Sequence, residues 1–121
     1  MLKKILAGTA CFTLGMAVLA LAQNQADLNQ AATAAYEKSD AELNKVYKEL
    51  RETLTDNEKE RLKEVQKLWI TYRDKESEFA ASLYEGGSMA GLVKVNAATA
   101  ETESRNAALK SLFREGYPGG Q

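Results

Sequence analysis

The side chains that carry most acid–base, nucleophilic and metal chemistry are nearly missing from this chain. Its 121 residues include no histidine and one cysteine, Cys11. The commonest general base and the commonest metal ligand are therefore absent. With no histidine, and no cysteine once the opening segment is removed, zinc, haem and iron–sulfur ligation are disfavoured. The carboxylates Asp74, Glu76 and Glu78 invite an acid/base or calcium reading. On a helix, however, Asp74 and Glu78 stand an i,i+4 step apart and Glu76 points nearly opposite, whereas glycosidase carboxylates face each other across a cleft. The calcium-loop pattern is missing too. Gly86-Gly87-Ser88 is too short for a phosphate-binding loop and has no lysine behind it. Ser88 has no nominated base to activate it. These residues predict no enzyme, no cofactor and no metal site. The chemistry left open is recognition.

The element that organises the chain is a stretch from Leu62 to Tyr84. At 100° per residue, Leu62, Val65, Trp69, Tyr72, Phe79 and Leu83 share one face, the signature of an amphipathic helix. At helical spacing Trp69, Tyr72 and Phe79 read as core, with a binding role the alternative. Tyr84 and Tyr117, beside glycine-rich turns, are better surface candidates. Arg73 and Glu76 lie within the apolar stripe, and buried charges need partners. Arg105 holds the matching place on a later helix, so Glu76 is expected to accept from Arg105, Arg73 or both.

The chain opens like an export signal. Lys3 and Lys4 precede an apolar run from Ile5 to Leu21, and Ala20-Leu21-Ala22 forms an A-x-A cleavage site before Gln23. An uncleaved anchor is the alternative, because the run approaches spanning length. Residues 1–22 are thus expected to be removed, leaving a periplasmic or secreted domain over 23–115 and a flexible tail over 116–121, not held at a membrane. Losing Lys3 and Lys4 leaves 14 basic against 17 acidic residues, a net charge of −3. That balance disfavours nucleic acid and suits a cationic protein partner. Oligomeric state is not legible.

Three helices are predicted, with no strand-like alternation. The first covers Asp27–Leu54, with Ala32, Tyr36, Leu43, Tyr47, Leu50 and Leu54 on one face. Thr55-Asp56-Asn57-Glu58 has capping-box form and opens the second, which runs from Asp56 to Leu83 or Tyr84 and stops at Gly86-Gly87. Ser88 can cap a short segment, Met89–Val95, and Asn96–Thr99 is ambiguous. The third helix follows over Ala98–Arg114, with Ala98, Thr102, Arg105, Leu109, Leu112 and Phe113 aligned. The expected fold is all-α: a long antiparallel hairpin with a third helix packed across it.

Leu62-Lys63-Glu64-Val65-Gln66-Lys67-Leu68-Trp69-Ile70-Thr71-Tyr72-Arg73-Asp74 resembles the hallmark segment of the LprI-type lysozyme-inhibitor domain family, long catalogued as a bacterial domain of unknown function. Leu43-Asn44-Lys45-Val46-Tyr47, Glu85-Gly86-Gly87-Ser88, and Thr102-Glu103-Ser104-Arg105 with Leu109 fit its other motifs. The resemblance spans Gln25 to Leu112. It implies an envelope protein that binds and inhibits a cationic lysozyme; a structural or adaptor domain with another partner is the alternative. Under the inhibitor reading, Tyr84, Glu85, Gly86, Gly87 and Ser88 are the first choice of contact surface, with a plain helix end and turn as the competing reading. Family members commonly carry paired cysteines where this chain has Ala31, Ser77 and Asn96 or Ala97. Loss of a native bridge typically costs roughly 2–5 kcal/mol.

Overall fold

The structure, a computed structural model, describes residues 2–119, with side chains from Leu21 onward. It contains three helices: α1 over Leu2–Glu52, α2 over Asp56–Ser82 and α3 over Ala90–Lys110. Residues 1–31 form one compact unit and residues 32–121 another. Most of the expected export signal lies outside the residues whose side chains are described. In the first unit Gln25 Nε2 donates to Asn29 Oδ1 at 3.2 Å along the helix. The second unit holds everything that follows.

Helices α1 and α3 differ from the sequence expectation at both ends. α1 extends upstream of Asp27 and ends at Glu52. Beyond it, Thr53 and Leu54 bond back to Leu50 and Arg51 in a tight turn. The segment expected as a separate Met89–Val95 turn is the start of α3, which closes at Lys110 instead of Arg114. Nothing between Ala90 and Lys110 breaks a helix: the interval has no proline, and its one glycine, Gly91, sits in the first turn. Ser88 does not cap α3; Met89 holds that position without a side-chain bond. The capping box of α2 forms as its residues require. Glu58 N–H donates to Thr55 Oγ1 at 3.3 Å, and Thr55 N–H donates to Glu58 Oε2 at 2.9 Å.

Contacts fix the helix directions in the second unit. Gln66 meets Arg105 and Tyr72 neighbours Glu101, so α2 and α3 are antiparallel. Asn106 reaches Ser39 and Lys110 reaches Glu42, so α3 runs with α1. The apolar core gathers near the α1–α2 turn: Leu43, Val46 and Leu50 of α1, Leu62 of α2, Leu109 of α3, and Phe113. Tyr47, Leu54, Trp69 and Tyr117 pack against it half-buried.

Away from that core, the helices meet through small polar side chains. Ser39, Ser77, Thr99 and Thr102 are buried, and each hydroxyl donates to a carbonyl of its own helix at 2.7–2.9 Å. Such local bonds satisfy a buried hydroxyl without a partner from another helix. At Ser77, where the resemblance implies a cysteine, the hydroxyl donates to Asp74 O at 2.9 Å. Asn106 Nδ2 adds a bond across helices, donating to Ser39 O at 3.1 Å.

The buried face of α2 is rotated from the expected stripe. Leu62, Gln66, Arg73 and Ser77 are buried. Val65, Tyr72, Phe79 and Leu83, expected inside, are 50–68% exposed. The aromatic content of the stripe pointed inward by hydrophobicity alone. What decides the side is that Ala- and Thr-rich α3 approaches α2 along a row of small and polar positions, leaving the large groups outside.

Candidate functional site

The two arginines expected to pair with Glu76 find other partners. Arg73, buried, has its Nε 3.0 Å from Asp74 Oδ1 and its Nη1 3.8 Å from Asp40 Oδ1. Its guanidinium carbon stands 5.1 Å from the Trp69 ring centroid and 5.8 Å from that of Tyr36. Arg105 Nε donates to Gln66 Oε1 at 2.9 Å, and its guanidinium carbon is 6.0 Å from the same Trp69 ring. Trp69, half-buried, is thus flanked by two arginines, an arrangement each ring–cation contact favours. Desolvation lowers the Arg105 pKa, and one of its terminal nitrogens, Nη2, is buried without an acceptor.

Glu76 joins neither arginine, which corrects the pairing expected from the sequence. The antiparallel register sets Arg105 level with Gln66, ten residues along α2 from Glu76, about 15 Å of helix axis. Arg73 is within reach, but Asp74 and Asp40 take it. Of the three neighbouring carboxylates, Asp74 and Glu78 are held in ion pairs, with Arg73 and Lys75 respectively. Glu76 remains beside Tyr72. Its charge and that of Glu101, the larger influence, raise the Tyr72 pKa. Tyr72 is a surface residue rather than a core one.

Every residue of the contact loop expected at Tyr84–Ser88 is exposed. Tyr84 and Glu85 N–H groups bond back to Ala81 and Ser82, and Gly87 N–H bonds to Tyr84 O at 3.0 Å. Gly86 takes φ +82, a left-handed angle that L side chains resist. The loop is a compact turn that continues directly from the end of α2. Tyr117, the other surface candidate, instead lies edge-on to Phe113 at 5.2 Å between ring centroids, with Lys110 Nζ 5.1 Å from its ring.

Gln66, Asp40 and Val46 carry contacts that the sequence reading passed over. Gln66 stood in the quoted motif, but a polar residue within an amphipathic helix gives no sign of being buried. Asp40 carries no motif or spacing that singles it out. Val46 is fully buried although it lies off the stripe assigned to α1. Among the described residues no group of three or more His, Cys, Asp or Glu could hold a metal ion. Nor is any helix among them long and apolar enough to cross a membrane.

Comparison with known proteins adds a family to this geometry. The family model described as lysozyme inhibitor LprI matches residues 18–109. An uncharacterized protein of Rhizobium meliloti (strain 1021) is 35% identical over 105 residues, covering 76% of this chain and 76% of the relative. No solved structure matches the chain.

Proposed function

The chain belongs to the LprI lysozyme-inhibitor family, and from that premise we propose that it is an exported protein that inhibits a lysozyme-type muramidase by direct contact. The family match carries the reading, since it covers most of the helical domain. The charge balance supports it. With residues 1–22 removed, the domain over 23–115 and its short tail would carry a net charge of −3, which speeds encounter with a strongly basic enzyme. The exposed turn at Tyr84, Glu85, Gly86, Gly87 and Ser88 supports a contact at that end of α2, because a projecting turn enters a cleft more readily than a helix flank.

A turbidity assay tests the reading directly. Purified protein lacking residues 1–22 is mixed with a strongly basic lysozyme, and clearing of a cell-wall suspension is followed at several salt concentrations. Inhibition should be strongest at low salt and weaken as screening grows. Unslowed clearing at a large molar excess would refute the inhibitor function. Intact mass of the exported protein checks the processing, with Gln23 expected as its first residue.

A further inference from the structure

The outer face of α2 carries a feature that the bundle does not use. Val65, Leu68, Tyr72, Phe79 and Leu83 recur at spacings of three, four and seven, and all are 50–73% exposed. They form one apolar stripe along the helix. Judged from these exposures and typical side-chain sizes, it shows on the order of 600 Å² to solvent, the upper end of what a single patch on a monomer reaches. The stripe ends at Leu83, where the exposed turn with Tyr84 begins, so the two surfaces are continuous. Together they approach the ~800 Å² that each partner of a standard interface contributes.

Two carboxylates mark what chemistry this face suits. Glu76 on α2 and Glu101 on α3 both lie close enough to Tyr72 to raise its pKa. Neither has an ion-pair or hydrogen-bond partner among the described residues. On α2 itself the flanking cations are committed, Arg73 to Asp40 and Asp74 and Lys75 to Glu78, while Arg105 of α3 bonds Gln66. An apolar strip with two unneutralised acids around a tyrosine suits a protein surface that offers a lysine or arginine among apolar groups. A second copy fits poorly. Stripe against stripe, two-fold symmetry would bring the Glu76 and Glu101 carboxylates of both molecules into one desolvated interface, which is repulsive.

We propose that this α2 face, with Tyr72 at its centre and Glu76 and Glu101 beside it, is the main docking surface for a basic protein partner, the Tyr84 turn forming its edge. The proposal rests on the inhibitor reading for the identity of that partner, a basic lysozyme. Apolar contact supplies the area, and the two carboxylates fix the register by receiving a basic side chain over the Tyr72 ring.

The test measures affinity for a strongly basic lysozyme by calorimetry, alongside the clearing assay. It compares the wild-type domain with Leu68→Ser/Phe79→Ser and with Glu76→Gln/Glu101→Gln. All four side chains are at least partly exposed, and a thermal melt of each variant confirms the fold. The apolar pair is expected to weaken binding at least tenfold. The carboxylate pair should weaken it severalfold and flatten its salt dependence, and inhibition should fall in parallel. A wild-type domain that binds and inhibits, with both folded variants equally potent, overturns this surface and leaves the inhibitor reading intact. A wild-type domain that does not bind lysozyme overturns both. Sedimentation showing a wild-type dimer that the apolar pair converts to monomer would identify a second copy as the occupant and refute the proposal.

Discussion

Arg73 and Trp69 stand one turn apart on α2, the guanidinium carbon 5.1 Å from the indole centroid, while Arg105 of α3 approaches the same ring at 6.0 Å. A single side chain thus links the hairpin's ion pair to the third helix. Trp69→Ala should remove both ring contacts and part of the packing against the core, at a cost of about 3 kcal/mol. Thermal unfolding should show it as a drop of roughly 10–20 °C for a domain of this size. Trp69→Phe should retain most of the stability.

The Gln66–Arg105 bond predicts an asymmetry. Gln66→Ala leaves a partly buried guanidinium without its one side-chain acceptor and should cost about 2–3 kcal/mol. Arg105→Met removes the charge together with its unpartnered Nη2, and keeps the aliphatic stem. It should change stability by less than about 1 kcal/mol. Chemical denaturation of the two single variants and the double variant would show non-additivity if the bond is present.

Rotation of the α2 face can be checked by contrasting two truncations. Leu109 is fully buried and Phe79 is mostly exposed. Leu109→Ala should cost about 2–5 kcal/mol. Phe79→Ala should stay within about 0.5 kcal/mol, as surface substitutions do. Equal losses in urea melts would place Phe79 inside the protein and contradict the fold.

Acid should loosen the start of α2. The Glu58 carboxyl is held below its ordinary value of 4.5, first by the Thr55 backbone N–H and then by Arg114. A lowered folded-state pKa means that this stabilisation is fully present above the unfolded value and is lost as pH falls through the folded one. Melting temperature should therefore decline below about pH 4.5. Glu58→Gln should be less stable at neutral pH and show a shallower decline, measured by circular dichroism across the range.

The legible part of this protein was local. Thr55 and Glu58 determine a helix start because the two reciprocal bonds of a capping box lie within four residues. Gly86 determines the turn after α2 because only its backbone adopts φ +82 without strain. The absence of histidine removes whole reaction classes before any fold is known. On α1, Leu43 and Leu50 announce their face because a long charged helix leaves them few other positions to occupy. The segment from Leu62 to Asp74 also carries enough pattern to name a family.

Tertiary structure decided which side of α2 is covered. Val65, Tyr72 and Phe79 form as good a hydrophobic face as Leu62, Gln66, Trp69, Arg73 and Ser77 form a mixed one, and periodicity favours the first. The second is buried because α3 presents Thr99, Thr102 and Asn106, small polar side chains that let the helices come close, the two hydroxyls bonding within α3 and the amide donating to Ser39 O. The destinations of Arg73 and Arg105 were likewise open. Glu76 is nearer to Arg73 in sequence than Asp40 is, yet the packing of α1 brings Asp40 to Arg73, and the α2–α3 register carries Arg105 to Gln66. Such choices depend on which helices meet and at what level, and a helix's own repeat of 3.6 residues carries no record of either.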